Sequence, residues 1–302
     1  MLSIISKKRW TKANKGFSKK QKKEIDACVE KGKYRNLDRQ KNNLLHLAVI
    51  CDEMPTVKTA LKIEGLLEEK NTLGFTPLDL AHLLGREKVL KIIDPPKKRT
   101  FRVEKNGKVY KFNQKEYEKF FNLKFVPNLR FDNIGIVNWV VKRCSRSVKK
   151  REMTREQKWF GTYYADEIES GYNADVTIKF IDKMMGYGLF TNKKLKKKAF
   201  IVEYVGHVRK YNFSKDLKNA YCFEYMIADK HDTDFIIDAK DEGNIARFVN
   251  HHDDGNITPI AVYHQGIMRV VLQANRDIEK GEQLCYDYGP EYWAKREKPV
   301  DF

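Results

Sequence analysis

Four stretches of the C-terminal half hold residues that could build a binding and reaction site: Gly186-Tyr-Gly188, Glu203-Tyr-Val-Gly206, Arg247-Phe-Val-Asn-His251 and Gly281-Glu-Gln-Leu-Cys-Tyr-Asp-Tyr-Gly289. Glycines at 186 and 188 let a main chain come close to a ligand, with a plain strand-end turn as the alternative. No further glycine leads into a long helix, which argues against a dinucleotide fold. Asn250 brings an amide that both donates and accepts. His251 reads as a hydrogen-bonded structural group rather than a base. Tyrosines such as Tyr204, Tyr286 and Tyr288 offer ring faces that attract cations and hydroxyls that orient a polar group. Aromatics make up 12% of the chain, so core packing is the competing reading for each.

The scaffold that must position these residues is globular. The chain has 302 residues, 41% hydrophobic and 33% charged, enough for one large or two modest domains with their own cores. Its formal net charge of +18 favours polyanionic partners such as nucleic acid or an anionic membrane. Five scattered cysteines form no C-x-x-C pair, against a structural zinc site and a secreted disulfide framework. No apolar run is long enough to span a bilayer, and Met1 to Trp10 is too short in apolar residues for a signal-peptide core. A soluble, intracellular protein without membrane contact is expected.

Asn43-Leu-Leu-His-Leu-Ala48 recurs as Thr76-Pro-Leu-Asp-Leu-Ala81, 33 residues further on, and that period resembles ankyrin repeats. The turn Gly74-Phe75-Thr76-Pro77, a helix over Leu78–Leu84, a break at Gly85 and a second helix over Val89–Ile93 are expected, with a degenerate helix pair over Lys19–Lys33. Asp94-Pro-Pro-Lys-Lys-Arg99 ends the module, giving domains 1–96 (ankyrin-like), 97–172 (connecting), 173–293 and a tail 294–302. In the connector, Asn106-Gly107 between two β-like runs marks a hairpin, Lys115–Asn122 reads as helix, and Thr154–Gly171 as an amphipathic helix that packs Trp159, Phe160, Tyr163, Tyr164 and Ile168 into the core. Beyond it, runs such as Val176–Ile181, Ala199–Val205 and Met268–Leu272 read as many short strands.

Taken in series, the four stretches resemble a SET domain over roughly Ala174 to Trp293. The resemblance implies an α+β chain: an all-α ankyrin module, then mainly β short sheets in which the Asn250 and Tyr288 segments cross as a pseudoknot. It implies S-adenosylmethionine-dependent methylation of a protein lysine, with a histone as the favoured substrate. By similarity, Met185, Gly186, Tyr187, Gly188, Tyr221, Asn250 and His251 contact the cofactor. Tyr288 is the catalytic tyrosine, joined by Tyr204 and Tyr286, and Phe223, Tyr292 and Trp293 line the substrate channel. The chemistry suits phenols. A neutral amine must meet a sulfonium carbon in line, and a desolvated aromatic channel beside a positive charge lowers the lysine pKa, whereas a carboxylate would favour the unreactive ammonium. A hydroxyl at Tyr286 would bind water and limit room, so mono- or dimethylation is expected.

The family's zinc-binding cysteines are missing both after Asn250-His251 and from the tail, so no metal is expected and Tyr292 with Trp293 are candidates to close the channel. Ankyrin repeats before a zinc-free SET domain resemble chromatin-targeting effectors of intracellular bacteria, which would place the protein in a host nucleus, and otherwise in the cytoplasm. Asn192-Lys-Lys-Leu-Lys-Lys-Lys198 and Lys142–Arg151 could touch nucleosomal DNA, or be merely solvated faces. The repeats would bind an unidentified protein partner. The alternatives are a catalytically inactive ankyrin/SET adaptor and a basic nucleic-acid-binding protein.

Overall fold

The computed structural model describes residues 19–95, 97–228, 233–294 and 296, so the reading of Met1–Trp10 and most of the tail lies outside the described residues. Contacts divide the chain into two units: Met1–Lys97 with Arg130–Lys149 and Gln265–Ile267, and Lys98–Leu129 with Lys150–His264 and Met268–Phe302. Residues 97–172 are therefore not one connector but are shared out between the units. Among the described residues no helix is long and apolar enough to cross a membrane.

The first unit begins with helix α1 (Lys19–Glu30). It continues with two helix pairs, α2 (Leu44–Ile50) with α3 (Met54–Ala60) and α4 (Pro77–Leu83) with α5 (Glu87–Ile93). Each pair starts at a reciprocal cap: Asn43 Oδ1 accepts from His46 N while His46 Nδ1 accepts from Asn43 N, and Thr76 with Asp79 does the same. The pairs are also tied together. Arg86 donates to Val49 O and Ile50 O at 3.1 and 2.7 Å, at the C-terminal end of α2, and His46 Nε2 lies 2.8 Å from Phe75 O. Over Lys19–Lys33 one helix forms rather than a pair, because Gly32, at φ +73°, turns the chain out of α1. The helix Ile134–Lys149 buries Ile134, Val137, Val140, Val141 and Cys144 on one face of this unit.

In the second unit, β1 (Thr100–Lys105) and β2 (Lys108–Asn113) form a hairpin. Asn106 and Gly107 both have positive φ, as a tight mirror-image turn requires. Helix α6 (Gln114–Phe121) follows, capped by Asn113. The expected helix over Thr154–Gly171 is two, α7 (Arg155–Tyr163) and α8 (Ala165–Ser170). At the junction Tyr164 is buried and its hydroxyl donates to Lys198 O at 2.6 Å. Tyr164 and Ile168 enter the core with Phe200 and Val262, with Phe160 packed against it. Trp159 and Tyr163 do not. They stack on each other at the surface, 52% and 57% exposed, because the break rotates their face away from the sheet residues that bury Tyr164.

The strands that carry the site are β3 (Val176–Asp182), β4 (Gly186–Thr191), β5 (Phe200–Glu203), β6 (His207–Lys210), β7 (Cys222–Glu224), β8 (Phe235–Asp238), β9 (Asn250–His251), β10 (Ile257–His264), β11 (Ile267–Ala274) and β12 (Gln283–Tyr286). The largest sheet has the order β9-β12-β4-β3-β1-β2, so the hairpin is part of the sheet rather than a linker: Val103 lies opposite Ile178 in a parallel register. A second sheet runs β10-β11-β5, and β8 pairs antiparallel with β6 and β7. Strand β9 lies parallel to β12, with Asn250 opposite Cys285 and His251 opposite Tyr286, which sets the two motif segments side by side although they are far apart in sequence.

Candidate active site

A cavity of about 1170 Å³ opens in the second unit, and every expected site residue except Gly188 lines it. One wall is largely main chain. Asp182 Oδ1 accepts from the amides of Met184 and Met185 at 2.8 and 2.7 Å, which fixes the turn into β4. Gly186 follows at φ +71°, and a Cβ there would meet no atom within 4 Å. Glycine is thus required by backbone conformation, and open space lies beside it. Gly188 serves differently from expectation: a Cβ there would lie 2.7 Å from Ile181 Cδ1, 2.8 Å from Gln283 Nε2 and 3.2 Å from Asn250 Nδ2. It makes room for its neighbours to pack rather than facing the cavity. Asn250 Nδ2 reaches Tyr187 O at 3.4 Å, a long bond that leaves the amide weakly committed.

The opposite wall is aromatic. Tyr288 is half-buried, and its hydroxyl donates to Val249 O at 2.7 Å. Its ring packs 4.8 Å from Tyr286, 4.6 Å from Tyr292 and 6.2 Å from Trp293. Tyr204 donates to Tyr221 O at 2.9 Å and leans on Phe223. Burial pushes the phenols of Tyr204, Tyr286 and Tyr288 above the ordinary tyrosine range, so all three stay protonated at physiological pH. With their protons given to main-chain carbonyls, the Tyr204 and Tyr288 oxygens keep lone pairs free to accept.

His251 joins the walls. It is buried, its Nδ1 accepts from Tyr288 N at 3.2 Å, and its ring lies 4.7 Å from Trp293. Its Nε2 lies 3.2 Å from a carboxylate oxygen of Asp253. The ring orients Tyr288's backbone.

Among the described residues, two triads place ligand-type atoms within 4.8 Å of one another: Asp216, Cys222 and Asp238, and His251, Asp253 and Asp287. In the first, Arg209 bridges Asp216 and Asp238 at 2.5 and 2.6 Å, and burial pushes the Cys222 thiol up to about 12, which makes it an ion-pair network. In the second, His251 Nδ1 is already taken by the Tyr288 amide.

Several cavity residues were not singled out from sequence. Phe121, from α6, and Phe248 pack on Tyr187 at 5.1 and 6.4 Å. Phe121 lay in the presumed connector, where nothing local announces a pocket. Arg247 sits inside a quoted stretch, and its guanidinium carbon lies 3.9 Å from the Tyr221 ring centroid. Arg296, at the cavity edge, lies beyond the stretches.

Among the described lining residues, Asn250 and the protonated phenols stand beside charged groups such as Lys210, Asp216 and Arg247. In comparison with known proteins, residues 186–289 match the model of the SET domain. The histone-lysine N-methyltransferase EHMT1 of Homo sapiens is 30% identical over 130 residues, 42% of this chain and 10% of its own length. The histone-lysine N-methyltransferase Set8 of Drosophila melanogaster is 31% identical over 153 residues, 48% of this chain and 22% of its own. The N-lysine methyltransferase KMT5A-A of Danio rerio is 28% identical over 156 residues, 49% of this chain and 44% of its own. The chain thus spans less than half the length of each of these relatives. Residues 186–289 are thus similar to a SET domain, and the relatives that share the similarity carry the names of lysine methyltransferases.

Proposed function

We propose that this protein is an S-adenosylmethionine-dependent protein-lysine N-methyltransferase that mono- or dimethylates a histone-tail lysine. The observation that carries the reading is the pair of phenol oxygens, Tyr204 and Tyr288, whose protons are committed to Tyr221 O and Val249 O in the cavity that Met185–Tyr187 also line. Such oxygens accept from an amine N–H and so orient its lone pair. The aromatic surround disfavours the ammonium form, as alignment and desolvation require.

The residues present fit the methyl donor. Trp293 Nε1 is buried on the cavity wall without a protein partner, the Asn250 amide is weakly engaged, and space is open beside Gly186. Met185, Gly186, Tyr187, Tyr221, Asn250 and His251 would hold the donor, which supplies an electrophilic methyl carbon on a sulfonium. Tyr288 and Tyr204 orient the acceptor, Phe223, Tyr292 and Trp293 exclude water, and the Tyr286 hydroxyl takes up space that added methyl groups would need.

The 33-residue recurrence with its capped helix pairs supports reading the first unit as ankyrin repeats that bind a protein partner. A histone target favours a nuclear setting and nucleosomal DNA contact. Of the two basic clusters, Lys193 and Lys194 and Lys196 pair with Asp175, Glu279 and Asp277, whereas Lys142, Arg146, Lys149 and Lys150 stand exposed or partly exposed with no ion pair among the described residues, which favours the second.

The test is to incubate the protein with labelled S-adenosylmethionine and core histones or nucleosomes, beside Tyr288→Phe, and to locate label by mass spectrometry. Label on lysine that disappears in the variant is expected. Donor binding without transfer would instead mark an inactive adaptor, and binding of neither donor nor histone overturns the reading.

A further inference from the structure

The short helix α9 (Pro290–Trp293) carries two of the rings that cover Tyr288, yet it has only four residues. One turn cannot hold itself together, because nucleation costs more than a single hydrogen bond returns. Something outside the helix must fix it. Arg296 is placed to do so: Nη1 donates to Tyr292 O at 3.1 Å, and Nη2 donates to Asn219 O at 2.8 Å and, more weakly, to Leu217 O at 3.4 Å. The guanidinium carbon also lies 4.2 Å from the Tyr292 ring centroid.

The other end of this tie is itself anchored. Arg209 holds Asp216 and Asp238, Asn219 Nδ2 donates to Asp238 Oδ1 at 2.9 Å, and Asn219 Oδ1 accepts from Tyr221 N at 3.1 Å. Tyr221 O in turn receives the Tyr204 hydroxyl. One guanidinium therefore joins the segment that positions Tyr204 to the helix that brings Tyr292 and Trp293 onto Tyr288. Its planar fork, with several donors in fixed directions, suits three carbonyls on two segments in a way an ammonium cannot match.

We propose that Arg296 is a positioning residue that latches the C-terminal wall of the cavity shut, holding Tyr292 and Trp293 over Tyr288 and thereby closing the channel around the acceptor lysine. The proposal rests on the methyltransferase reading for its kinetic consequence but not for its mechanical one. Without the latch, α9 loses its carbonyl partner and its ring stack together. The rings then leave Tyr288 part of the time, and water reaches the amine.

The experiment compares wild type, Arg296→Ala and Arg296→Lys by backbone hydrogen exchange and by methyl transfer to a histone peptide. In Arg296→Ala, exchange is expected to quicken in residues 213–222 and 290–294 but not in the β3–β4 hairpin. The peptide KM should rise about tenfold, equivalent to about 1.4 kcal/mol, with kcat changed less. Arg296→Lys, which keeps the charge without the fork, should recover part of the KM and little of the exchange protection. Wild-type exchange in Arg296→Ala overturns the latch whatever the kinetics, and so does an equal loss of protection across the whole unit. If wild type transfers no methyl group to any histone peptide, the methyltransferase reading fails, and the exchange data alone still decide the latch.

Discussion

The two walls of the cavity are made by different means. On one side, Met184 to Gly186 are presented as main chain, held by the Asp182 carboxylate that caps the turn and by a glycine at positive φ. On the other side, Tyr204, Tyr286, Tyr288, Tyr292 and Trp293 form the wall by their rings, and the hydroxyls of Tyr204 and Tyr288 are steered by main-chain carbonyls. The difference teaches where changes should be felt. A wall of main chain presents its hydrogen bonds whatever side chain is attached, so side-chain changes there chiefly alter affinity. Truncating a side-chain wall removes the groups that align the reaction, so rate suffers first.

The sharpest way to break this comparison is Tyr288→Phe. Loss of an oriented acceptor in a water-poor site is expected to lower kcat on the order of 10²-fold or more, while affinity for S-adenosylmethionine, measured by calorimetry, stays close to wild type. An equal loss of both would mean that the walls do not divide the labour. Next in size, Asn250→Ala should weaken binding of S-adenosylmethionine about tenfold by removing one amide contact, with the kcat at saturating donor falling less; the reverse pattern would sink the assignment of Asn250 to the donor wall. Tyr286→Phe tests the aromatic wall alone. Freed space should move the product from mono- toward di- and trimethyl-lysine with little change in the first transfer, read by mass spectrometry of a histone peptide.

The smallest effect lies outside both walls and serves as their control. Burial lowers the pKa of His46, whose neutral ring closes the Asn43 cap. The unfolded chain therefore binds a proton that the native cap refuses. The stability this group contributes is present above its unfolded pKa near 6.5 and is lost progressively as pH falls below that value toward the lower native pKa. Urea midpoints should drop between pH 7.5 and 5.5, and the drop should shrink in His46→Asn.

Much of the fold could be read locally. The reciprocal caps at Asn43 and Thr76, the Asn106-Gly107 turn and the alternating strands are set by residues within a few positions of one another, so the sequence carried their signal directly. The errors share one cause. Tyr164 breaks an otherwise continuous helical pattern because its hydroxyl finds Lys198 O, 34 residues away. The hairpin taken for a linker belongs to a sheet because Val103 meets Ile178.

The site divides along the same line. By itself, the sequence determined which residues could bind and align: the glycine pair, Asn250-His251 and the tyrosines of the last stretch. Only tertiary structure decided that β9 lies along β12, so that a histidine accepts from the amide of a tyrosine 37 residues later. It also decided that Gly188 serves packing, that Phe121 enters the cavity and that Arg296 spans two segments. These depend on which backbone atoms come within about 3 Å across large sequence separations. That is settled by the packing of whole sheets, and no window of neighbouring residues records it.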